Sequence, residues 1–184
     1  TLMDMDFKKT LMTMSIAAVM LPTFAADGLP KGAPDFSKIK ETDYLPAIEK
    51  AIKLKRQEIN KIVSNKQKPT FKNTILALEK SGLELDKWLN VAEGLASAHK
   101  TPAIAEAEKK STPLLTELEN ESSFNKALFK RVKYVYDNEY KNLKGEDKRL
   151  TEVVYKGFVR SGALLDDAKM ERMMQINMRI SELQ

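Results

Sequence analysis

From about residue 43 to the end, apolar residues recur at three- and four-residue steps, and nowhere do they alternate convincingly with period two. The longest stripe runs through Phe71, Ile75, Leu78, Gly82, Leu85, Leu89, Ala92 and Ala96. It predicts one unbroken helix from Phe71 to about Ala98, entered through Pro69, with Thr70 or Asn73 as its cap. Upstream, Leu45, Ile48, Ile52, Ile59 and Ile62 share a face of a helix predicted over 43–63, with Asp43 as N-cap and Pro46 in the first turn. Lys55 interrupts that face and can lay its aliphatic stem along it. Downstream, Thr101-Pro102 restarts a helix carrying Ile104, Ala107, Leu114, Leu115 and Leu118, which Pro113 is expected to kink or split. Ser122-Ser123 is expected to open a fourth helix with Leu128, Val132, Val135 and Tyr136 inside, and Gly145 to end the loop after it. A fifth helix carries Leu150, Val154 and Phe158 and stops at Ser161-Gly162 with a glycine C-cap. Asp166-Asp167 starts a sixth, whose stripe is Met173, Ile176, Ile180 and Leu183. The fold class is therefore all-α, about six helices arranged in antiparallel helical hairpins.

The ends of the chain read differently from its middle. Lys8 and Lys9 precede a charge-free, mostly apolar run from Leu11 to Leu21, then Pro22, Thr23 and Ala25, which suits cleavage after Ala25. Residues 1–25 are read as a signal peptide, the run being shorter than the roughly 20 residues a bilayer span needs. Residues 26–42 form an extended arm containing Pro and Gly, and 43–184 the helical domain. The sequence contains no cysteine, hence no disulfide and no acylation site of a lipoprotein, and the protein is placed in the periplasm or outside the cell with no stable membrane insertion after signal cleavage. Ser181-Glu182-Leu183-Gln184 carries no helix stop, so the natural chain is expected to continue past Gln184 and the domain to be truncated there.

Composition narrows the chemistry. Of 184 residues 42% are hydrophobic and 31% charged, enough for a core under a well-solvated surface. The net charge of +5 concentrates around Lys50, Lys53, Lys55, Arg56 and Lys61, with no interleaved aromatic, so a solvated helix face rather than a nucleic-acid site is expected. The one histidine, His99, is read as a helix-end cation rather than a ligand, and with one His and no cysteine an intrinsic zinc peptidase site is not expected. Ser161 lacks the setting of a nucleophile elbow. Glu117, Glu119 and Glu121 alternate and are read as solvated, not as a carboxylate pair. Asp166 and Asp167 are read as a cap. Trp88 is read as a core or domain contact and Met170, Met173, Met174 and Met178 as packing positions. No catalytic, cofactor-binding or metal-binding residue is assigned.

The residue identities add a resemblance. Pro69-Thr-Phe-Lys-Asn-Thr74 followed by Leu78-Glu-Lys-Ser-Gly82 resembles the N-terminal region of the thimet oligopeptidase, oligopeptidase A and peptidyl-dipeptidase family of zinc peptidases. The resemblance covers about residues 34–184. It includes Pro34-Asp-Phe36, Tyr44-Leu-Pro-Ala47, Leu128-Phe-Lys-Arg-Val132 with Val135-Tyr-Asp137, Phe158-Val-Arg-Ser-Gly-Ala163 with Leu165, and Asn177 with Ser181 and Leu183. The chain departs from the family at Asp43, where His usually precedes the Tyr, and matches little over 91–123.

This resemblance implies a large two-lobed helical peptidase with a deep channel, of which this chain forms the N-terminal, non-catalytic part of one lobe. It implies zinc in the parent enzyme but no cofactor in this chain, the His-Glu-x-x-His motif lying far downstream. The implied partners are the C-terminal catalytic domain of the same protein and short peptide substrates, of the peptidyl-dipeptidase or oligopeptidase type. The alternative is a stand-alone periplasmic helical module that binds peptides or a protein without catalysis.

Overall fold

A computed structural model describes residues 39–98 and 100–183, all but Ile39 within a compact unit that begins at Lys40. The signal segment, the arm as far as Lys38, and His99 lie outside the described residues. The described residues form helices and no strand, as the periodicity requires. After a single 3-10 turn, Glu41–Asp43, come α1 (Tyr44–Val63), α2 (a wide first turn, Phe71–Ile75, continued by Leu76–Glu79), α3 (Leu83–Ala98), α4 (Pro102–Ser123), α5 (Lys126–Asn138), α6 (Gly145–Arg160) and α7 (Asp167–Glu182).

Helix α1 is the spine. Its first half contributes Ile48, Ala51 and Ile52 to a core closed by Leu85 of α3 and Leu118 of α4. Its second half contributes Ile59 and Ile62 to a second core with Leu128 of α5. Beside it Ile75 of α2 packs with Val132 and Val135 of α5, all three fully buried. Helices α5 and α6 form an antiparallel hairpin whose seam is a ladder of stacked rings: Phe129 on Phe158 and Tyr155, and Tyr155 on Tyr136, the last pair with centroids 3.9 Å apart.

The segment between α1 and α2 is fixed by polar contacts. The Thr70 hydroxyl accepts from Asn73 N and Asn73 Oδ1 accepts from Thr70 N, a reciprocal cap on α2. Asn73 Nδ2 donates to the Lys68 carbonyl at 3.0 Å, and its Oδ1 also accepts from the Thr74 hydroxyl. Arg131 of α5, 8% exposed, reaches the same group: Nη1 donates to the Asn65 and Gln67 carbonyls and Nη2 to Asn73 Oδ1. Its Nε is buried with no partner, and burial lowers its pKa.

Four expectations are corrected. The helix predicted from Phe71 to Ala98 is two, because the chain turns at Lys80–Gly82 and Gly82 adopts φ +86°. There Glu58 Oε2 of α1 accepts from Gly82 N at 2.8 Å, and a Cβ on Gly82 would lie 2.6 Å from Cδ of Lys55. Asp43 does not cap α1: its carboxylate accepts from Lys40 N and closes the 3-10 turn instead. Ser122-Ser123 ends α4 rather than opening α5, which Asn125 caps by accepting from Leu128 N. Of the kink or split expected at Pro113, the split does not occur, since α4 continues through it. Thr101, Asp166 and Gly162 act as predicted, Gly162 (φ +101°) closing α6 with Ala163 N donating to the Phe158 carbonyl.

Gly82→Ala forces a Cβ against the Lys55 stem in a backbone conformation L residues avoid, so a loss of about 1–3 kcal/mol is expected in urea denaturation. Gly94→Ala, inside α3 with open space around it, is expected to be neutral or to gain up to about 1 kcal/mol. Arg131→Met removes a buried guanidinium and its three donated bonds to partly buried oxygens and is expected to lose about 2–4 kcal/mol. Arg131→Lys, lacking the fork, should recover less than half of that loss in the same measurement.

Candidate functional site

The residues considered from sequence for chemistry do not converge on a reactive centre. Among the described residues no group of three or more His, Cys, Asp or Glu is placed to hold a metal ion. Ser161 sits in the C-cap of α6. Asp166 is the α7 cap, and the ammonium and backbone N–H of Lys169 hold its carboxyl below the ordinary range. Asp167 pairs with Lys126. Trp88 is half-buried against the α1–α3–α4 core, donates to Glu84 at 2.9 Å, and carries the Lys87 ammonium over its ring.

The carboxylates of α4 overturn one expectation. Glu117 and Glu121 lie one turn apart and converge on Arg56 of α1: Nε and Nη2 grip Glu121 at 2.7 and 3.1 Å, and Nη2 meets Glu117 at 3.2 Å. The hydrogen bond to Glu121 is the main reason the Arg56 pKa is raised. The cluster is roughly half-exposed, so it sets the register of α1 on α4 more than it stabilises the fold. Glu119 accepts from the Ser123 hydroxyl.

Two surface features remain, and both involve α7. The first is an apolar stripe. Helix α7 lies antiparallel to α4, and its buried positions are Met170 and Ser181, with Asn177 donating to Oδ1 of the buried Asn120 at 2.7 Å. The stripe predicted from sequence is left largely exposed: Met173 is 37% exposed, Ile176 40%, Ile180 50% and Leu183 71%, although Ile180 and Leu183 also border cavities shared with α4. Periodicity finds the stripe but does not say which neighbour α7 turns toward.

The second feature is a set of three cavities beside α4. One of about 550 Å³ is lined by Leu115 and Glu119 of α4, Leu89 and Asp86 of α3, Ile180 of α7 and Lys55 of α1. A second, of about 240 Å³, lies among α1, α3 and α4 and shares Leu89 and Leu115 with it. A third, of about 720 Å³, lies between α4 and α7, with Lys100, Glu108, Lys109, Glu182 and Leu183 in its lining. Sequence reading misses them because their lining comes from helices far apart in the chain.

What the fold defines is thus an all-helical region with an unpaired apolar helix face, three cavities beside α4, and no catalytic constellation among its described residues. No family model matches the chain. It is, however, homologous to the N-terminal region of the dipeptidyl carboxypeptidase and oligopeptidase A peptidases. It is 35% identical to dipeptidyl carboxypeptidase of Salmonella typhimurium over 150 residues, 81% of this chain and 22% of that protein. It is 35% identical to dipeptidyl carboxypeptidase of Escherichia coli over 165 residues, 89% of this chain and 24% of that protein. It is 27% identical to oligopeptidase A of Escherichia coli over 151 residues, 82% of this chain and 22% of that protein. The chain therefore spans less than a quarter of the length of these relatives.

If the stripe of α7 carries no weight in this chain's own packing, the double variant Ile176→Ser/Ile180→Ser should change unfolding free energy by less than about 0.5 kcal/mol and lower binding of an apolar dye. Leu128→Ala, at a fully buried position, should lose about 2–5 kcal/mol in the same urea titration.

Proposed function

We propose that this chain is the N-terminal, non-catalytic helical region of an exported zinc metallopeptidase that hydrolyses short peptides, and that it helps shape the channel those peptides enter. The observation that carries this reading is the coverage: most of this chain aligns with less than a quarter of each relative, while the described residues gather no group able to hold a metal. The exposed stripe of α7 supports it, because four apolar side chains at heptad-like 3-4-3 spacing form the kind of seam that another helix covers. In this reading the occupant of the stripe is the catalytic remainder of the same polypeptide. Zinc belongs to that remainder, and export to the periplasm rests on the sequence of residues 1–25.

The test has two parts. The coding sequence downstream of Gln184 is expected to stay open and to encode His-Glu-x-x-His, and the full-length product to cleave short peptides until a chelator removes its metal. The 184-residue chain alone is expected to bind no stoichiometric zinc and to cleave nothing. Chelator-sensitive hydrolysis by the short chain would overturn the assignment, and a stop codon directly after Gln184 would favour a stand-alone binding module.

A further inference from the structure

The open stripe of α7 is bordered on one side by charge of a single sign. At roughly 100° per residue, Met173, Ile176, Ile180 and Leu183 define a narrow apolar line along the helix. Met170, Asn177 and Ser181, which meet α4, lie about 100° to one side of it. To the other side, within about 80° of the line, stand the exposed Arg172 and Arg179. They recur at the heptad spacing of positions that flank a two-helix seam. The acids of the helix, Asp167, Glu171 and Glu182, all fall on the face opposite the stripe. Lys169 lies in line with the stripe one turn earlier, and Asp166 holds it at 2.7 Å. Among the described residues Arg172 reaches only Gln175, at 3.5 Å. Arg179 turns to Glu182 at 2.8 Å, a pair too exposed to hold it firmly. Toward α4 the charges are mixed: Lys55, Asp86 and Glu119 share a cavity with Ile180, and Lys109 and Glu182 share a different one with Leu183. Only the arginine border therefore selects a partner by charge.

We infer that α7 docks an amphipathic helix whose apolar seam is flanked by Glu or Asp opposite Arg172 and Arg179. The source of that helix rests on the peptidase reading above: it belongs to the catalytic remainder of the same polypeptide. From Met173 to Leu183 the stripe runs about 15 Å, three turns of a partner helix. Its 3-4-3 spacing accepts the side chains of such a helix as knobs. An extended strand would instead lay its backbone N–H and C=O groups against apolar side chains. A second copy of the chain fits less well. Laid antiparallel on itself, α7 sets Arg172 against Arg179 of the other copy, and laid parallel it offers the arginines no acid, because its own acids lie on the far face. A membrane surface also fits less well. Met173 and Ile176 are more than half covered and α7 carries no aromatic residue, so little of the stripe protrudes far enough to enter lipid. The apolar line supplies contact area, and the two arginines choose the charge and register of what lies on it.

The experiment uses the 184-residue chain and two fluorescein-labelled helical peptides, followed by fluorescence anisotropy. One peptide is three repeats of Glu-Ile-Ala-Ala-Leu-Glu-Lys, with Glu on both flanks of an Ile/Leu seam. The other is three repeats of Lys-Ile-Ala-Ala-Leu-Lys-Glu, with Lys on both flanks. The acidic peptide is expected to bind about fivefold tighter or more, and added salt to shrink the difference. Arg172→Glu/Arg179→Glu should reverse the preference, and Arg172→Glu alone, in the middle of α7, should at least halve it. Lys50→Glu/Lys53→Glu makes the same change of net charge beside a cavity that no residue of α7 lines, and should keep most of the preference. Ile176→Ser/Ile180→Ser should abolish binding of both peptides and leave the urea transition in place. Equal affinity for the two peptides, a preference that the α7 reversal leaves unchanged or the α1 reversal removes, or no saturable binding at high micromolar chain would overturn the inference. So would a dimer of the chain that Ile176→Ser/Ile180→Ser dissociates, which assigns the stripe to a second copy, or co-sedimentation with phosphatidylglycerol vesicles, which assigns it to a membrane. Neither peptide involves zinc or hydrolysis, so this inference can fail while the peptidase assignment stands. A stop codon directly after Gln184 would end that assignment and leave the charge preference of α7 as measured.

Discussion

The side-chain amide of Asn73 and the guanidinium of Arg131 hold a polar knot that the helices are built around. The chain between α1 and α2 is non-helical, and its carbonyls at Asn65, Gln67 and Lys68 need donors. Arg131 supplies donors to Asn65 and Gln67 from α5, and Asn73 supplies the one to Lys68 from the first turn of α2. The oxygens that Arg131 grips belong to amides rather than carboxylates, so a buried cation is held by dipoles, and its burial lowers its pKa. That choice fixes α2 against α5 from both sides. Glu139 near the end of α5 also accepts from Phe71 N, and the fully buried Ile75, Val132 and Val135 meet in the space the knot defines. The motif Pro69-Thr-Phe-Lys-Asn-Thr74 is therefore a structural device in this chain, with the side chains of Thr70, Asn73 and Thr74 all committed to the fold.

The other half of the same motif works through α1. Within four residues of that helix, Lys55 lays its stem under Gly82, Arg56 grips Glu117 and Glu121, and Glu58 accepts from Gly82 N. Three neighbouring side chains thus set where α2 ends, how α3 leaves, and how α4 lies along α1. Individually the exposed pairs are weak. Their value is directional: they choose one register among the several that the apolar face of α1 would accept.

What was legible in the sequence was local. Thr70, Thr101 and Asp166 cap helices because a side-chain oxygen two or three residues before an unpaired N–H needs no distant partner. Gly162 closes α6 by a left-handed backbone conformation that likewise belongs to the local chain. The helix break at Gly82 was hidden because its position fits the apolar stripe, and the close approach of Lys55, which leaves no room for a Cβ there, comes from another helix. Glu117 and Glu121 looked solvated because their partner, Arg56, is 61 and 65 residues away in sequence. Asp43 stands at the N-cap position expected of it, but the 3-10 turn at Glu41 uses its carboxylate for its own closure, so the side chain makes no bond into α1.

Periodicity finds the stripe of α7 and not its direction, and that failure is informative. It reports that one face of a helix will be buried, and packing decides by what. Fully burying Met173, Ile176, Ile180 and Leu183 would contribute about 1.5–3 kcal/mol each. Yet α7 meets α4 through Met170, Ser181 and an amide pair between Asn177 and Asn120, a smaller and more polar contact. A helix does not settle on its weaker face when its stronger one can reach a partner. The orientation is held by the buried Met170 and Ser181 and by the Asn177–Asn120 amide pair, which positions α7 on α4 without using the apolar stripe. Ile180 stands at the edge of that contact, half-exposed and yet lining a cavity with Leu115 and Glu119 of α4.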